Sequence, residues 1–90
     1  MKLEIITPQK IEFSDEVDSV TLPGEAGSFT VLDNHAPLIA SLSKGMIIYK
    51  IQGNGIGNFS IESGLCEVVN NRVSVCTEHI NYINTDERTK

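Results

Sequence analysis

The chain has 90 residues and a mass of 9.9 kDa, so it has room for one domain and not for two. Hydrophobic residues make up 40% of the sequence and charged residues 21%, a composition that can bury a core and excludes a disordered chain. Twelve acidic residues against seven basic ones give a net charge of −5, which argues against nucleic acid as the main partner.

Apolar and polar residues alternate along much of the chain, and turn-forming residues interrupt them about every eight to twelve positions. A period of two is typical of strands with one buried face. The pattern predicts nine strands, at 2–7, 10–13, 16–22, 28–32, 38–42, 46–51, 58–63, 65–69 and 72–77.

Two of these strands depart from simple alternation. In 16–22, Val17 is out of phase with Val20, which predicts a bulge or a strand that bends between sheets. The strand at 46–51 is apolar on both faces, so one face should meet another sheet or another protein.

The segment 65–77 is typical of a β-hairpin. Asn70 and Asn71 tolerate the left-handed conformation that a tight two-residue turn requires. In the resulting register Cys66 lies on one face and Cys76 on the other, so we expect the two thiols not to form a disulfide.

About nine short strands can hide their inner faces only in two packed layers or in a barrel. We predict an all-β fold, a small β-sandwich of two packed sheets with nine to ten short strands over residues 1–80. Beyond Thr77 apolar residues become sparse, and 85–90 is entirely polar, so we predict a frayed polar tail at 81–90.

Residues 1–20 lack the basic start and the apolar stretch of a signal peptide, and two cysteines are too few for a disulfide-stapled secreted scaffold. The internal apolar runs reach three or four residues, whereas crossing a bilayer takes roughly 20. We therefore expect a cytosolic chain without a transmembrane segment.

Three patterns could carry chemistry, and each is incomplete. The two cysteines and two histidines include no closely spaced cysteine pair of the kind that zinc sites use. The glycine-rich stretch 53–57 precedes a strand, whereas a phosphate-binding loop must open a helix. Asp33 and His35 suggest part of a hydrolytic triad, but no nucleophile-elbow motif accompanies them. We predict no catalytic residue, no metal site and no cofactor.

Between Lys10 and Lys44 the sequence has six acidic residues and no basic one. This predicts a strongly acidic region, which is either ordinary solvated surface or a face for a basic partner. The sequence leaves both interpretations open.

Three sequence blocks are similar to the epsilon subunit of F-type ATP synthases. They are Gly-Ser-Phe-Thr-Val-Leu-Asp-Asn-His-Ala-Pro-Leu at 27–38, Lys-Gly-Met-Ile at 44–47 and Ser-Gly-Leu-Cys-Glu-Val at 63–68. The resemblance extends over about residues 2–80 and implies the family's N-terminal sandwich of two five-stranded sheets.

The resemblance also implies a function. An epsilon subunit is a non-catalytic part of the rotor that binds the gamma subunit and the polar loops of the membrane c-ring, and thereby couples proton flow to ATP synthesis. It would lie peripherally at the cytoplasmic face of the bacterial inner membrane. A small β-sandwich adaptor unrelated to the synthase is the alternative, and a hydrolase or metal-dependent enzyme is a more distant one.

The resemblance assigns two sets of binding residues. The ring-facing loop corresponds to 27–38, and Pro37 makes its corner stiff by fixing its own φ angle. The family often has a carboxylate where this chain has Ser28. The residues expected at the ring are Glu25, Gly27, Ser28, Asp33, His35, Ala36, Pro37 and Leu38. Those expected at gamma are Met46, Ile48 and Tyr49.

The family commonly adds a C-terminal helical hairpin that inhibits ATP hydrolysis. The sequence ends at Lys90, before such a hairpin. The resemblance therefore implies that a brake of this kind is absent, unless the natural chain is longer.

Overall fold

A computed structural model describes residues 1–52 and 55–83 of the chain, and within them every regular element is a strand. The strands are β1 Lys2–Ile6, β2 Ile11–Glu16, β3 Ser19–Gly24, β4 Gly27–Leu32, β5 Leu38–Leu42, β6 Gly45–Ile51, β7 Gly55–Ile61, β8 Gly64–Val69, β9 Arg72–Cys76 and β10 Ile80–Ile83. The all-β prediction is confirmed.

The strands form two layers that are joined at one corner. The first sheet has the order β10-β7-β6-β3-β4, and the second has the order β5-β8-β9-β1-β2. The layers meet where Gly24 at the end of β3 pairs with Leu42 at the end of β5. This continuous, curled arrangement gives the two five-stranded sheets that the resemblance implied.

The core lies between the two sheets and follows the period-two pattern. In β9, for example, Val73 and Val75 are buried while Arg72 and Cys76 are exposed. Burying each such side chain contributes about 1.5–3 kcal/mol. The largest fully buried side chains in the described part of the chain are Leu3, Ile5, Val20, Leu22, Val31, Leu42, Ile47, Phe59, Ile61, Val68, Val73 and Val75.

Three aromatic rings close one side of this core. The ring of Phe13 lies 4.7 Å from that of Tyr49 and 5.2 Å from that of Phe59, measured between centroids. Tyr49 stacks on Phe59 at 5.6 Å. Since Phe13 comes from the second sheet and the other two rings from the first, the cluster holds the layers together.

A glycine makes room for this cluster. Gly57 lies directly opposite Tyr49 in the β6–β7 pair, and a Cβ atom at Gly57 would overlap the tyrosine ring. We expect Gly57→Ala to lower the free energy of unfolding by about 1–3 kcal/mol, because the ring is packed on its other side and has no free space to enter. Urea denaturation measures the change, with Ser60→Ala as the control in the same strand. Equal stability of Gly57→Ala and the parent would contradict this packing.

The predicted hairpin between β8 and β9 is confirmed. Asn70 and Asn71 have φ angles of 53° and 60°, and Val69 pairs with Arg72, as a two-residue turn requires. Cys66 is buried and Cys76 is exposed, so the thiols lie on opposite faces. Burial raises the pKa of the Cys66 thiol to about 11, with a smaller contribution from the charge of Glu67.

Near Val17 the chain crosses from the second sheet to the first, in line with the expected bend between sheets and not with a bulge, but it does so between two strands. The predicted strand 16–22 is interrupted, because β2 ends at Glu16 and β3 begins at Ser19. Val17 is out of phase since it is buried in the connection, where its backbone N–H donates to the Met1 carbonyl at 2.8 Å. The irregularity in pairing occurs instead in β1, between Ile5 and Ile6.

The chain continues as a strand where a frayed end was predicted. Strand β10, Ile80–Ile83, pairs antiparallel with β7, so the sandwich extends past residue 80. Backbone hydrogen bonds to the edge of the first sheet hold this strand, and these do not require a strong apolar pattern. The rest of the predicted tail, 84–90, lies outside the described residues.

Candidate partner-binding surfaces

The structure divides the residues expected at the ring into two groups at opposite ends of β4. Residues 27–32 form this strand, because Val31 is buried and Phe29 is half-buried against the core while their neighbours point outward. At a rise of about 3.3 Å per residue, Ser28 and Asp33 are separated by roughly 17 Å. The expected single loop at 27–38 is therefore wrong.

The first group belongs to the Glu25 turn, residues 24–27, which joins β3 to β4. The backbone N–H of Glu25 donates to the Ser41 carbonyl at 2.9 Å, which ties the turn to the second sheet. A Cβ at Gly24 would lie 2.7 Å from the Gly27 carbonyl oxygen, so the tight turn requires glycine there. The Glu25 side chain is exposed and forms no salt bridge with a described residue, which leaves its charge available to a partner.

The second group belongs to the Asn34 loop, residues 33–37, between β4 and β5. The N–H of His35 donates to the Leu32 carbonyl at 3.1 Å, and Asn34 has a φ angle of 64°. The N–H of Asn34 donates to Oδ1 of Asn71 at 2.7 Å. Hydrogen bonds therefore fix the start of this loop from within and from the β8–β9 hairpin.

An ion pair holds the same end of the Asn34 loop. The terminal ammonium group of Met1 donates to Oδ1 of Asp33 at 2.9 Å and lies 3.3 Å from a carboxylate oxygen of Glu16. The hydrogen bond to Asp33 is the main cause that raises the pKa of this ammonium group above its ordinary value. The charge of Asp33 is thus engaged within the chain.

The remaining residues of the Asn34 loop face outward or line its rim. Nδ1 of half-buried His35 is 2.6 Å from the carbonyl oxygen of Ala36 and donates to it in this arrangement. Ala36 and Pro37 are exposed, and Leu38 is half-buried as β5 begins. This part of the loop offers a partner small apolar surfaces rather than charge.

The outer surface of the second sheet carries an exposed apolar row that crosses four strands. Pairing places Leu65 beside Cys76, Cys76 beside Ile6, and Ile6 beside Ile11. Leu65 is 48% exposed and Ile11 is 56% exposed. We call this set the apolar row.

Further apolar groups continue this surface toward the Asn34 loop. Ile39, on the outward side of β5, is 71% exposed, the highest value among the large hydrophobic side chains of the described residues. A groove of about 380 Å³ separates Pro37 and Ile39 from Val69 on β8. A second groove, of about 540 Å³, adjoins the apolar row at Leu65 and reaches Glu25. Several exposed large hydrophobic side chains on one face indicate an interaction site.

Charged residues lie between these apolar groups. The guanidinium of Arg72 donates to Oε1 of Glu4 at 3.1 Å. Glu67 on β8 and Glu4 on β1 both pair with Ser74 of β9, one from each side. Such a mixture of apolar anchors and charges is typical of a surface for another protein subunit.

The three residues expected at gamma do not share one face. Met46 is 37% exposed and Ile48 is half-buried on the outer side of β6, whereas Tyr49 points into the aromatic cluster. The exposed apolar side chains of this outer face are separated by polar ones, since Ser19 and Lys50 lie between Leu32 and Ile56. The hydroxyl groups of Thr21 and Thr30 are hydrogen-bonded there at 2.9 Å. Tyr49 is therefore buried in part by the core and unsuited to a contact beside Met46.

Sequence reasoning missed the outer face of the second sheet. The signal was present in the predicted strand 65–69, where Leu65 and Val69 occupy the polar side of the alternation. In the predicted strand 38–42, Ile39 is likewise an apolar residue on the side that alternation assigns to solvent. Apolar residues on the solvent-facing side of a predicted strand indicate an interface with another protein.

The six acidic residues between Lys10 and Lys44 do not form one patch. Asp18 and Asp33 lie at the opposite end of the sandwich from Glu25, and the other three lie along β2. In the described part of the chain no cluster of histidine, cysteine and carboxylate groups could hold a metal ion. The same part contains no helix of the length and hydropathy that a membrane span requires.

A family model described as "ATP synthase, Delta/Epsilon chain, beta-sandwich domain" matches residues 1–82. The chain belongs to this family. Among named relatives, the ATP synthase epsilon chain of Leptospira borgpetersenii is 42% identical over 79 residues, which is 88% of this chain and 61% of the relative. The epsilon chain of Chlorobium limicola is also 42% identical, over 88% of this chain and 90% of its own length. The chain thus spans about three fifths of the length of the first of these epsilon chains.

Solved structures with the same fold come from ATP synthases. A chain of the Euglena gracilis mitochondrial ATP synthase, solved with OSCP, F1 and the c-ring, superposes with a TM-score of 0.83 at 18% identity, over 97% of this chain and 57% of that one. A chain of the Tetrahymena thermophila central stalk and c-ring gives 0.76 at 16% identity, over 89% and 64%. At this identity the likeness establishes the fold alone.

Proposed function

We propose that this chain is a non-catalytic rotor subunit of an F-type proton-translocating ATP synthase. It joins the c-ring to the gamma subunit in the central stalk and so couples rotation of the ring to ATP synthesis. Its place is peripheral, at the cytoplasmic face of the bacterial inner membrane. Membership of the epsilon family supports this function, and the exposed outer face of the second sheet is the observation that carries it.

The gamma subunit binds the outer face of the second sheet together with the Asn34 loop. This surface combines the apolar row with Ile39 and Pro37, and it extends along the sandwich. Burying aliphatic anchors of this kind supplies binding free energy, while the Arg72–Glu4 pair fixes orientation. On the outer face of the first sheet the exposed side chains of Leu32, Met46 and Ile56 are separated by polar residues and form no comparable row. That face is the weaker candidate, so Met46 and Ile48 are not part of the proposed contact.

The c-ring binds the Glu25 turn, with Gly27 and Ser28 at its rim. Glu25 is exposed and carries the carboxylate that the family often has at the position of Ser28. The backbone of the Glu25 turn is hydrogen-bonded to the second sheet. A force that the c-ring exerts on this turn is therefore transmitted to the second sheet through hydrogen bonds and not through a mobile loop. The two partners therefore contact a single rigid body.

Reconstitution tests the proposal directly. The 90-residue chain is mixed at micromolar concentration with gamma and detergent-solubilised c-ring of the same synthase, and the mixture is separated by size-exclusion chromatography. A stoichiometric complex of the three components is expected. Failure to bind either partner would contradict the proposed function and favour an adaptor that acts outside the synthase.

The ring contact gives a prediction of its own. We expect Glu25→Lys to weaken binding to the c-ring about tenfold at low salt, because it replaces attraction to a basic loop by repulsion. The loss should shrink at high ionic strength, since salt screens exposed charges. Asp18→Lys is the matched control: it changes the net charge equally but lies at the other end of β3. Equal effects of the two substitutions would contradict a contact at the Glu25 turn.

A further inference from the structure

We propose that Asn71 is a positioning residue for the gamma-binding surface, because its side chain selects the conformation of the Asn34 loop. The inference rests on the proposed function. It concerns a residue that itself lies in the turn of a different hairpin, far from the Asn34 loop in sequence.

The Asn34 loop begins with a tight turn that has two alternative conformations. The hydrogen bond from the N–H of His35 to the Leu32 carbonyl closes a four-residue turn with Asn34 in its third position. A φ angle of 64° at Asn34, with no positive φ at Asp33, is that of a type II turn, whereas a type I turn has a negative φ there. The two types differ by a flip of the peptide group between Asp33 and Asn34.

Asn71 contacts the group that this flip would move. The N–H of Asn34 belongs to the flipping peptide, and it donates to Oδ1 of Asn71 at 2.7 Å. Only the oxygen of a carboxamide can accept from an N–H, so the orientation of the Asn71 side chain is settled by this bond. Rotating the peptide into the type I arrangement would turn the N–H away from its acceptor.

The position of the acceptor is itself fixed. Asn71 lies in the left-handed region, as the tight turn between β8 and β9 requires, and its main-chain carbonyl accepts from the N–H of Lys2 at 3.2 Å. A short side chain on an anchored backbone places its oxygen with little freedom. The hairpin therefore serves as a fixed reference for the Asn34 loop.

The turn conformation sets what the loop presents to gamma. Ala36 and Pro37 follow the turn directly, and Pro37 lines the groove beside Ile39. A peptide flip at 33–34 would redirect the chain that leads to these residues. The ion pair between Met1 and Asp33 does not prevent the flip, since it holds a side chain and not the peptide group.

Three substitutions separate this role from the structural role of the hairpin turn. Asn71→Gly keeps a residue that accepts a positive φ but removes the carboxamide. Asn71→Asp keeps both the tolerance of positive φ and an acceptor oxygen, and is the conservative rescue. Asn70→Gly alters the neighbouring turn residue, whose φ is 53°, without touching the contact to Asn34.

Two measurements on the full chain test the proposal: amide hydrogen exchange at Asn34 by NMR, and affinity for purified gamma. In Asn71→Gly we expect amide exchange at Asn34 to be about five- to tenfold faster and the affinity for gamma to be about five- to tenfold weaker. Both changes correspond to the loss of one hydrogen bond. The thermal unfolding midpoint should match that of Asn70→Gly. Asn71→Asp and Asn70→Gly should behave like the parent in both measurements.

Unchanged exchange at Asn34 in Asn71→Gly would overturn the proposed hydrogen-bond constraint. Faster exchange with unchanged gamma affinity would overturn the positioning role while leaving the contact itself intact. A parent chain that does not bind gamma would overturn the proposed function, an outcome that is distinct because it does not depend on any Asn71 variant.

Discussion

Leu65→Lys is expected to weaken binding of the chain to gamma by about 100-fold, the range for loss of an interface hot spot. Leu65 lies within the apolar row and is 48% exposed, so it is available to a partner in the free chain. The substitution would place a charge among the apolar anchors of the proposed contact, where it is desolvated on binding. Titration of labelled chain with gamma, followed by fluorescence anisotropy, measures the change.

Met46→Lys is the matched control for this experiment. Met46 is 37% exposed on the outer face of the first sheet, so the same charge is introduced on the opposite side of the sandwich. Circular dichroism should show both variants folded, because neither side chain belongs to the buried core. Loss of binding in Met46→Lys with retention in Leu65→Lys would place gamma on the first sheet, as the sequence alone had suggested.

Phe59→Ala is expected to lower the free energy of unfolding by about 3–5 kcal/mol. Phe59 is 2% exposed and contacts the rings of Phe13 and Tyr49, one from each sheet. Removing it leaves a cavity between the layers and breaks both ring contacts. Since small domains have about 5–15 kcal/mol in total, this is a large part of the stability. Urea denaturation followed by circular dichroism gives the value.

Ile56→Ala in the same strand provides the comparison. Ile56 is 53% exposed on the outer side of β7, and such a substitution typically changes stability by no more than about 0.5 kcal/mol. A similar loss for the two variants would mean that the aromatic cluster contributes no more than ordinary strand packing.

The fold was largely accessible from the sequence because period-two alternation is a local property. Strands such as β1, β8 and β9 show it clearly, and Asn70 and Asn71 identify the hairpin turn between β8 and β9. Strand β10 was missed since edge pairing through backbone atoms leaves no comparable apolar pattern. At Val17 the sequence could not separate a bulge from a crossing between sheets, because both break the phase of the alternation.

The candidate site was accessible only in part. The resemblance pointed to 27–38, but sequence order could not reveal that β4 carries the two halves of this segment to opposite ends of the sandwich. The hydrogen bond between Asn34 and Asn71 joins residues that no local pattern relates. The exposure of Leu65 depends on which strands flank β8, which is a property of the topology.

The parallel pairing of β1 with β9 has a consequence for biosynthesis. Strand β1 can pair with β2 early in synthesis. Its second neighbour is β9, with Lys2 opposite Arg72 and Ile6 opposite Cys76, and this strand is available only when most of the chain has been made. Pairings that are distant in sequence slow folding, and β-rich domains of this kind fold in milliseconds to seconds. The nascent chain must therefore keep Leu3 and Ile5 from premature association until translation has passed β9.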